Sequence, residues 1–264
     1  DGYALVEPPY LGMEHQSAIA YGNEYKTGYA GFDFSRIGLD FDYIIIHETG
    51  HEWWGNSISC ADMADLWIHE GFCTYSEAIY VECMHGYDTA MLYVNAKIPS
   101  VGNKAPIVGV YDVNEEGSGD MYNKGMLILN TVRHLFNDDQ AWFKTLKGLS
   151  VDFEQRVVQT SEIEEYISSR STGMEMNWQA FWDQYLRHAD IPRLELPVSG
   201  KGRKATVKYR WLTEVEGFNM PVSYTTGKGK RGWLQPTDEW QELEVKSKGN
   251  EFEVEANKFY FGRK

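Results

Sequence analysis

The sequence predicts an α+β fold: a mostly helical part, residues 1–194, followed by a small antiparallel β-domain, residues 195–264. Three observations carry this. Between Phe41 and Ala189 the apolar residues recur in several runs of helical character. Pro192 closes the last of these runs. Beyond it, "KATVKYRWL", "MPVSYTT", "WQELEVKS" and "EFEVEANKFYF" alternate apolar and polar residues between Gly, Asn and Pro, which is the period of half-buried strands.

Taken in order, residues 1–22 read as extended, with "YALVE" and "SAIAYG" on either side of a turn at Pro8 and Pro9. The segment from Phe41 to about Gly55 reads as a helix whose apolar run "YIII" leads into two histidines. A second helix is expected over Leu66–Met84 and a third over Asp88–Ala96. Residues 99–120 hold Pro, Gly, Asn and acidic residues and read as a long loop, a feature often tied to function. Helices resume over Tyr122–Phe136. Another starts at Ser161, where "SEIE" forms a capping box, and stops near Gly173. Asn177 caps a helix through "WQAFWDQYLRHA", and "GKGKRG", residues 227–232, reads as a hairpin loop.

The chain has 264 residues, enough for two domains, with 42% apolar and 24% charged residues, an ordinary globular balance. No run of about 18 apolar residues occurs, so no membrane span is encoded. The formal net charge of −14 argues against nucleic acid as a partner and favours cations, a peptide's amino terminus among them. Cys60, Cys73 and Cys83 are odd in number and lack a CxxC pair, so neither a disulfide framework nor a cysteine metal site is expected. No basic leader is visible, and cytoplasmic and exported locations both stay open.

The chemistry concentrates in "HETGHEWWGN", residues 47–56. Residues four apart share a helix face, so His47 and His51 can point at one metal ion. Glu48, rotated by about 100° from His47, is placed to reach water on the metal's open side as a general base. The plain alternative is a buried helix that carries two imidazoles. Composition alone gives H-E-x-x-H in about 2% of chains of this size, so the motif by itself is only moderately specific. A catalytic zinc needs a third ligand, and "LWIHEGFCTYSEA" offers Glu70, with residues 52–69 between it and His51. Requiring a glutamate at one set position cuts the chance figure roughly tenfold. Glu77 lies two helical turns after Glu70 and has two readings, a solvated charge or a carboxylate that orients a ligand histidine.

At these residues the chain resembles the aminopeptidase N family of zinc metallopeptidases, gluzincins that include leukotriene A hydrolase. "HETGHEWWGN" and "DLWIHEGFCTYSE" match its zinc motifs at the family spacing. "GMEHQ", residues 12–16, resembles its Gly-x-Met-Glu-Asn exopeptidase motif, with His15 in place of the usual Asn. "MYNKG", residues 121–125, resembles its Tyr-x-Lys-Gly segment. The resemblance implies a thermolysin-like catalytic domain with an edge β-sheet over 1–194 and a small antiparallel β-sandwich over 195–264. It implies one zinc ion on His47, His51 and Glu70, with Glu48 as general base. Tyr122 is implied to be the phenol that meets the developing oxyanion. Glu14 is implied to anchor the substrate's α-ammonium, with Gly12 and Met13 lending backbone to the substrate strand. The implied reaction is removal of amino-terminal residues from peptides with a free amino terminus. Endopeptidase or epoxide hydrolase action at the same centre, or a zinc-binding domain that has lost catalysis, are the alternatives. Family members normally carry further domains before and after this region, so this chain is expected to be a fragment of a longer enzyme.

Overall fold

The amino-terminal strands are short because prolines and polar residues interrupt them: β1 (Ala4–Val6), β2 (Gly12–Met13) and β3 (Ala18–Tyr21). They form a sheet in the order β1-β3-β2, with β1 parallel and β2 antiparallel to β3, which leaves β2 on an edge. These elements belong to a computed structural model that describes residues 2–33, 35, 37, 40–201, 204–227, 229–246, 248 and 251–264. Contacts group the chain into two units. The first comprises Asp1–Gly102, Ile107–Asn130 and Gln140–Arg170; the second comprises Asn103–Pro106, Thr131–Asp139 and Ser171–Lys264. The second unit thus takes in residues 171–194, which the sequence groups with the helical part.

In the first unit, helix α1 (Tyr43–Gly50) begins at Asp42, whose side chain accepts from the backbone N–H groups of Ile44 and Ile45. Such a cap is worth about 1 kcal/mol. Asp42 also accepts from Asn23 Nδ2 at 2.8 Å and from the Tyr21 hydroxyl, so one carboxylate ties the helix start to the end of β3. Ile44 completes the tie by packing on Ile19 and Tyr21. The helix is shorter than the sequence suggests. It stops at Gly50, and residues 51–57 turn back into β4 (Ile58–Cys60), because the backbone N–H of Gly55 bonds to Ile58 O at 2.8 Å.

Helix α2 (Trp67–His85) is long and mostly buried, carrying Trp67, Ile68, Phe72, Tyr75 and Val81 into the core. Gly86, at φ 85°, ends it and opens α3 (Tyr87–Ala96). The long loop that follows holds two 3₁₀ turns, Ile98–Ser100 and Gly119–Met121, before α4 (Asn123–Phe136). Helix α5 (Asp139–Asp152) is not anticipated from the sequence, nor is the parallel pairing of β4 with β5 (Arg156–Val158). Helix α6 (Thr160–Ser168) starts one turn-residue earlier than expected. Its N-cap is Gln159, whose backbone N–H donates to Glu162 at 3.0 Å in a capping box, so Ser161 lies inside the helix.

In the second unit, Asn177 caps α7 (Trp178–Trp182) by accepting from Ala180 N–H, as expected, and a π-helical turn, Asp183–Arg187, continues it. The strands are β6 (Arg193–Glu195), β7 (Val198–Lys201), β8 (Lys204–Leu212), β9 (Val222–Thr225), β10 (Arg231–Leu234), β11 (Gln241–Val245), β12 (Glu253–Val254) and β13 (Gly262–Arg263). One sheet runs β11-β8-β6-β13 with β7 also on β8; a second runs β10-β9-β12. All these pairs are antiparallel except β6 with β13, which is parallel and corrects the purely antiparallel expectation. The turn of "GKGKRG" lies between the paired β9 and β10, with Lys228 outside the described residues; so is Ser247, the last residue of "WQELEVKS". The core centres on the fully buried Phe181, Tyr185, Val207, Met220 and Val222, with Trp211 donating to Met220 O at 2.9 Å.

Candidate active site

The site lies within the first unit, in a cleft of about 1480 Å³ lined from β2, α1, α2 and the loop before α4. His47 on α1 and His51, the helix C-cap with helical backbone angles, lie one turn apart, with ring centroids 5.0 Å apart and planes at 74°. Helix α2 lies close beside α1: a Cβ on Gly50 would stand 3.3 Å from Cys73 Sγ. That proximity brings Glu70 onto the imidazoles. His47 Nε2 lies 3.1 Å and His51 Nε2 3.5 Å from the same oxygen, Glu70 Oε2.

This donor set fits a zinc ion. Ligands about 2.1 Å from a tetrahedral zinc stand about 3.4 Å apart, close to both separations. The outer nitrogens are fixed in the sense zinc requires. His47 Nδ1 meets Glu77 Oε1 at 2.9 Å and His51 Nδ1 meets the Trp54 carbonyl at 2.9 Å, which turns each Nε2 toward Glu70. Of the two readings of Glu77, the structure favours the orienting one: the residue is fully buried and also accepts from the hydroxyls of Tyr29, at 2.7 Å, and Tyr93. Lys97 adds its ammonium over both tyrosine rings, 4.6 and 4.9 Å from their centroids. Tyr29, Tyr93 and Lys97 carry no sequence signal that marks them for the site.

Electrostatics follow the packing. Burial alone lowers the His47 pKa, but hydrogen bonds and charge from Glu70 and Glu77 overcome it and hold the value at about 10. Burial raises the Glu70 carboxyl, and the two imidazoles outweigh that, bringing it to about 2. Glu48 differs: burial dominates and its carboxyl is pushed up to about 7.

The remaining expected residues converge on the same place. Carboxylate oxygens of Glu14 and Glu48 and a ring nitrogen of His51 lie within 4.8 Å of one another. Gly12 backs directly onto Glu48, since a Cβ there would sit 2.3 Å from Glu48 Oε1. Gly12 and Met13 line the cleft on the edge strand, while His15 is exposed and bonds Ala18 N–H through its carbonyl at the β2–β3 turn. The Tyr122 ring stacks on His47 at 5.9 Å and 27°. Burial, then the charge of Glu70 and a hydrogen bond to it, raise the Tyr122 phenol pKa. His69 accepts from Cys60 N–H at 2.8 Å. Among the described residues no helix is long and apolar enough to cross a membrane.

Comparison with known proteins identifies the family. The peptidase family M1 domain matches residues 4–185. A membrane alanyl aminopeptidase from Heliothis virescens is 20% identical over 239 residues, covering 77% of this chain and 23% of that protein. Endoplasmic reticulum aminopeptidase 1 from Mus musculus is 28% identical over 134 residues, covering 47% of this chain and 14% of its own length. The chain therefore spans under a quarter of these relatives. Among solved structures, Legionella pneumophila aminopeptidase A in complex with aspartic acid superposes with a TM-score of 0.67 at 16% identity, over 92% of this chain and 29% of that one. A mutant M1 zinc metallopeptidase from Deinococcus radiodurans, bound to a Tyr-Ser-Ala substrate, gives 0.54 at 20% identity, over 70% and 39%. At these identities the superpositions speak for a shared α+β fold. With most of its length inside the family match, the chain belongs to peptidase family M1, the aminopeptidase N-like gluzincins.

Proposed function

We propose that this chain carries the catalytic centre of a zinc-dependent aminopeptidase. His47, His51 and Glu70 hold one zinc ion, and residues 1–194 form the catalytic domain ahead of a small β-domain. The observation that carries the exopeptidase assignment is the Glu14 carboxylate, which meets Glu48 and His51 within 4.8 Å. A carboxylate at that place accepts a free α-ammonium, and an interior peptide unit has no charge to offer it. The aminopeptidase names of the relatives support the same reading.

When bound, zinc polarises the scissile carbonyl and makes water nucleophilic near neutral pH. The chain's own residues do the rest. The open edge of β2 holds the substrate backbone as an added strand beside Gly12 and Met13. Glu14 fixes the amino terminus and so sets which bond is presented. Glu48 takes a proton from water and passes it to the leaving amine. Tyr122 donates its phenol proton as a hydrogen bond to the carbonyl oxygen as negative charge builds there. We also propose that the whole protein has further domains, as its longer relatives do.

A paired assay tests the assignment. An alanyl p-nitroanilide and its N-acetylated form are offered to the zinc-loaded chain, with and without chelator. Turnover of the free amine alone, lost with chelator, is expected. Equal turnover of the acetylated substrate would move the centre to an endopeptidase.

A further inference from the structure

Beside the site, two helices approach each other at a glycine pair. Gly71 on α2 faces Gly125 on α4: a Cβ on Gly125 would stand 2.7 Å from Gly71 Cα. A Cβ on Gly71 would stand 3.2 Å from Gly125 Cα and 3.2 Å from Met121 O. These obstacles are main chain, which cannot swing aside as a side-chain tip can. Glycine is disfavoured inside helices relative to alanine, so two glycines meeting at one crossing run against local preference on both helices.

The crossing joins two groups of the site. Glu70 immediately precedes Gly71, and Tyr122 lies three residues before Gly125, where its carbonyl accepts from Met126 N–H at 3.0 Å and so closes the first turn of α4. Tyr122 thus stands directly before α4, whereas His47 is on α1, His51 is its C-cap and Glu70 is on α2. None of the three ligand candidates stands on α4 itself. We propose that the Gly71–Gly125 contact is the spacer that sets the distance from the Tyr122 phenol to the ligand cluster, making both glycines positioning residues for carbonyl-oxygen stabilisation. A methyl group on either glycine forces the helices apart by up to about 1 Å to restore ordinary carbon–carbon contact. A displacement of that size can cost about 10²-fold in a well-placed interaction. The inference rests on the reading of Tyr122 given under Proposed function.

The test uses the zinc-loaded chain and three readouts: zinc content, kcat and KM on alanyl p-nitroanilide, and the affinity of a phosphinic dipeptide whose phosphinyl oxygens imitate the oxyanion. Gly119→Ala is the control, because a Cβ there meets nothing within 4 Å although it is three residues from Tyr122. Y122F is expected to weaken phosphinate binding by about 10²-fold, the scale of one lost oxyanion donor, with one zinc retained. G71A and G125A should keep zinc and weaken the phosphinate by about 10-fold to 10²-fold. G119A should leave binding unchanged. In the Y122F background G71A should add less than about twofold, since the group it displaces is already gone. Wild-type affinity in G71A, or an equal loss in both backgrounds, overturns the proposal. Wild-type affinity in Y122F instead overturns the role of Tyr122 and leaves the two failures distinguishable. Should G125A not fold, G71A decides alone, because its contacts are the softer of the two.

Discussion

The two sides of the cleft are held in different ways. On the helical side each imidazole has a second partner: His47 is backed by Glu77, and His51 by the Trp54 carbonyl. Glu77 is itself held by Tyr29 and Tyr93. Facing β2, neither the carboxylate of Glu14, which follows β2, nor that of Glu48 on α1 has a hydrogen-bond partner among the described residues. Glu48 is buried and Glu14 half-buried, and both line the cleft, where a substrate or water can reach them. The contrast separates two requirements. Ligand atoms must be fixed before the ion binds; reacting groups must keep acceptor capacity for substrate and water.

Four measurements break or sharpen this contrast. The largest effect belongs to Glu48→Gln, which should lower kcat by about 10²- to 10⁴-fold while one zinc per chain remains by elemental analysis. Loss of zinc in that variant would show that the Glu48 carboxylate also shapes the ligand set. Gly12→Ala comes next. Its methyl group collides with the Glu48 carboxylate, a flexible tip that moves aside, so turnover should fall by about 10²-fold with the melting temperature nearly unchanged. A matching fall in stability would mean that β2 shifts instead. Glu77→Gln acts on the other side: zinc affinity in competition with a chelator should weaken by about 10- to 100-fold, with turnover per bound zinc retained. Unchanged affinity would reduce Glu77 to packing.

The smallest effect concerns protons. Without metal, His47 holds a proton up to about pH 10 because Glu70 and Glu77 flank it. Zinc binds the neutral imidazole, so metal and proton compete and affinity must rise with pH. The expected slope is about tenfold per pH unit near neutrality, flattening toward pH 10. Calorimetry in buffers of different ionisation enthalpy should count about one proton released per zinc at pH 7. No release would mean that the carboxylates fail to hold that proton.

The proposed ligands were legible because their spacing is a statement about helices: four residues put His47 and His51 on one face, and Glu70 lies in the first turn of the next helix. The outer shell was not. Tyr29 lies 48 residues and Tyr93 16 residues from Glu77, and only the packing of α3 and the segment after β3 reveals that both hydroxyls reach it. Glycine roles are equally silent in one dimension, since Gly12 and Gly71 differ from turn glycines only through what stands opposite them. Helix α5 was missed although Trp142, Leu146 and Leu149 follow helical spacing; its many polar residues mask a narrow apolar stripe. The strands β4 and β5 are three residues each and pair across 98 positions, too short and too distant for periodicity to detect.

Glu77 receives hydroxyls and an imidazole from three separate stretches of chain, and that has a bearing on protein engineering. A peptide cut to span residues 43–85 contains His47, His51, Glu70 and Glu77, yet it leaves behind both phenols that steady the last of these. Grafting the centre onto a designed scaffold therefore means transplanting Tyr29 and Tyr93 as well, or supplying other donors in their positions.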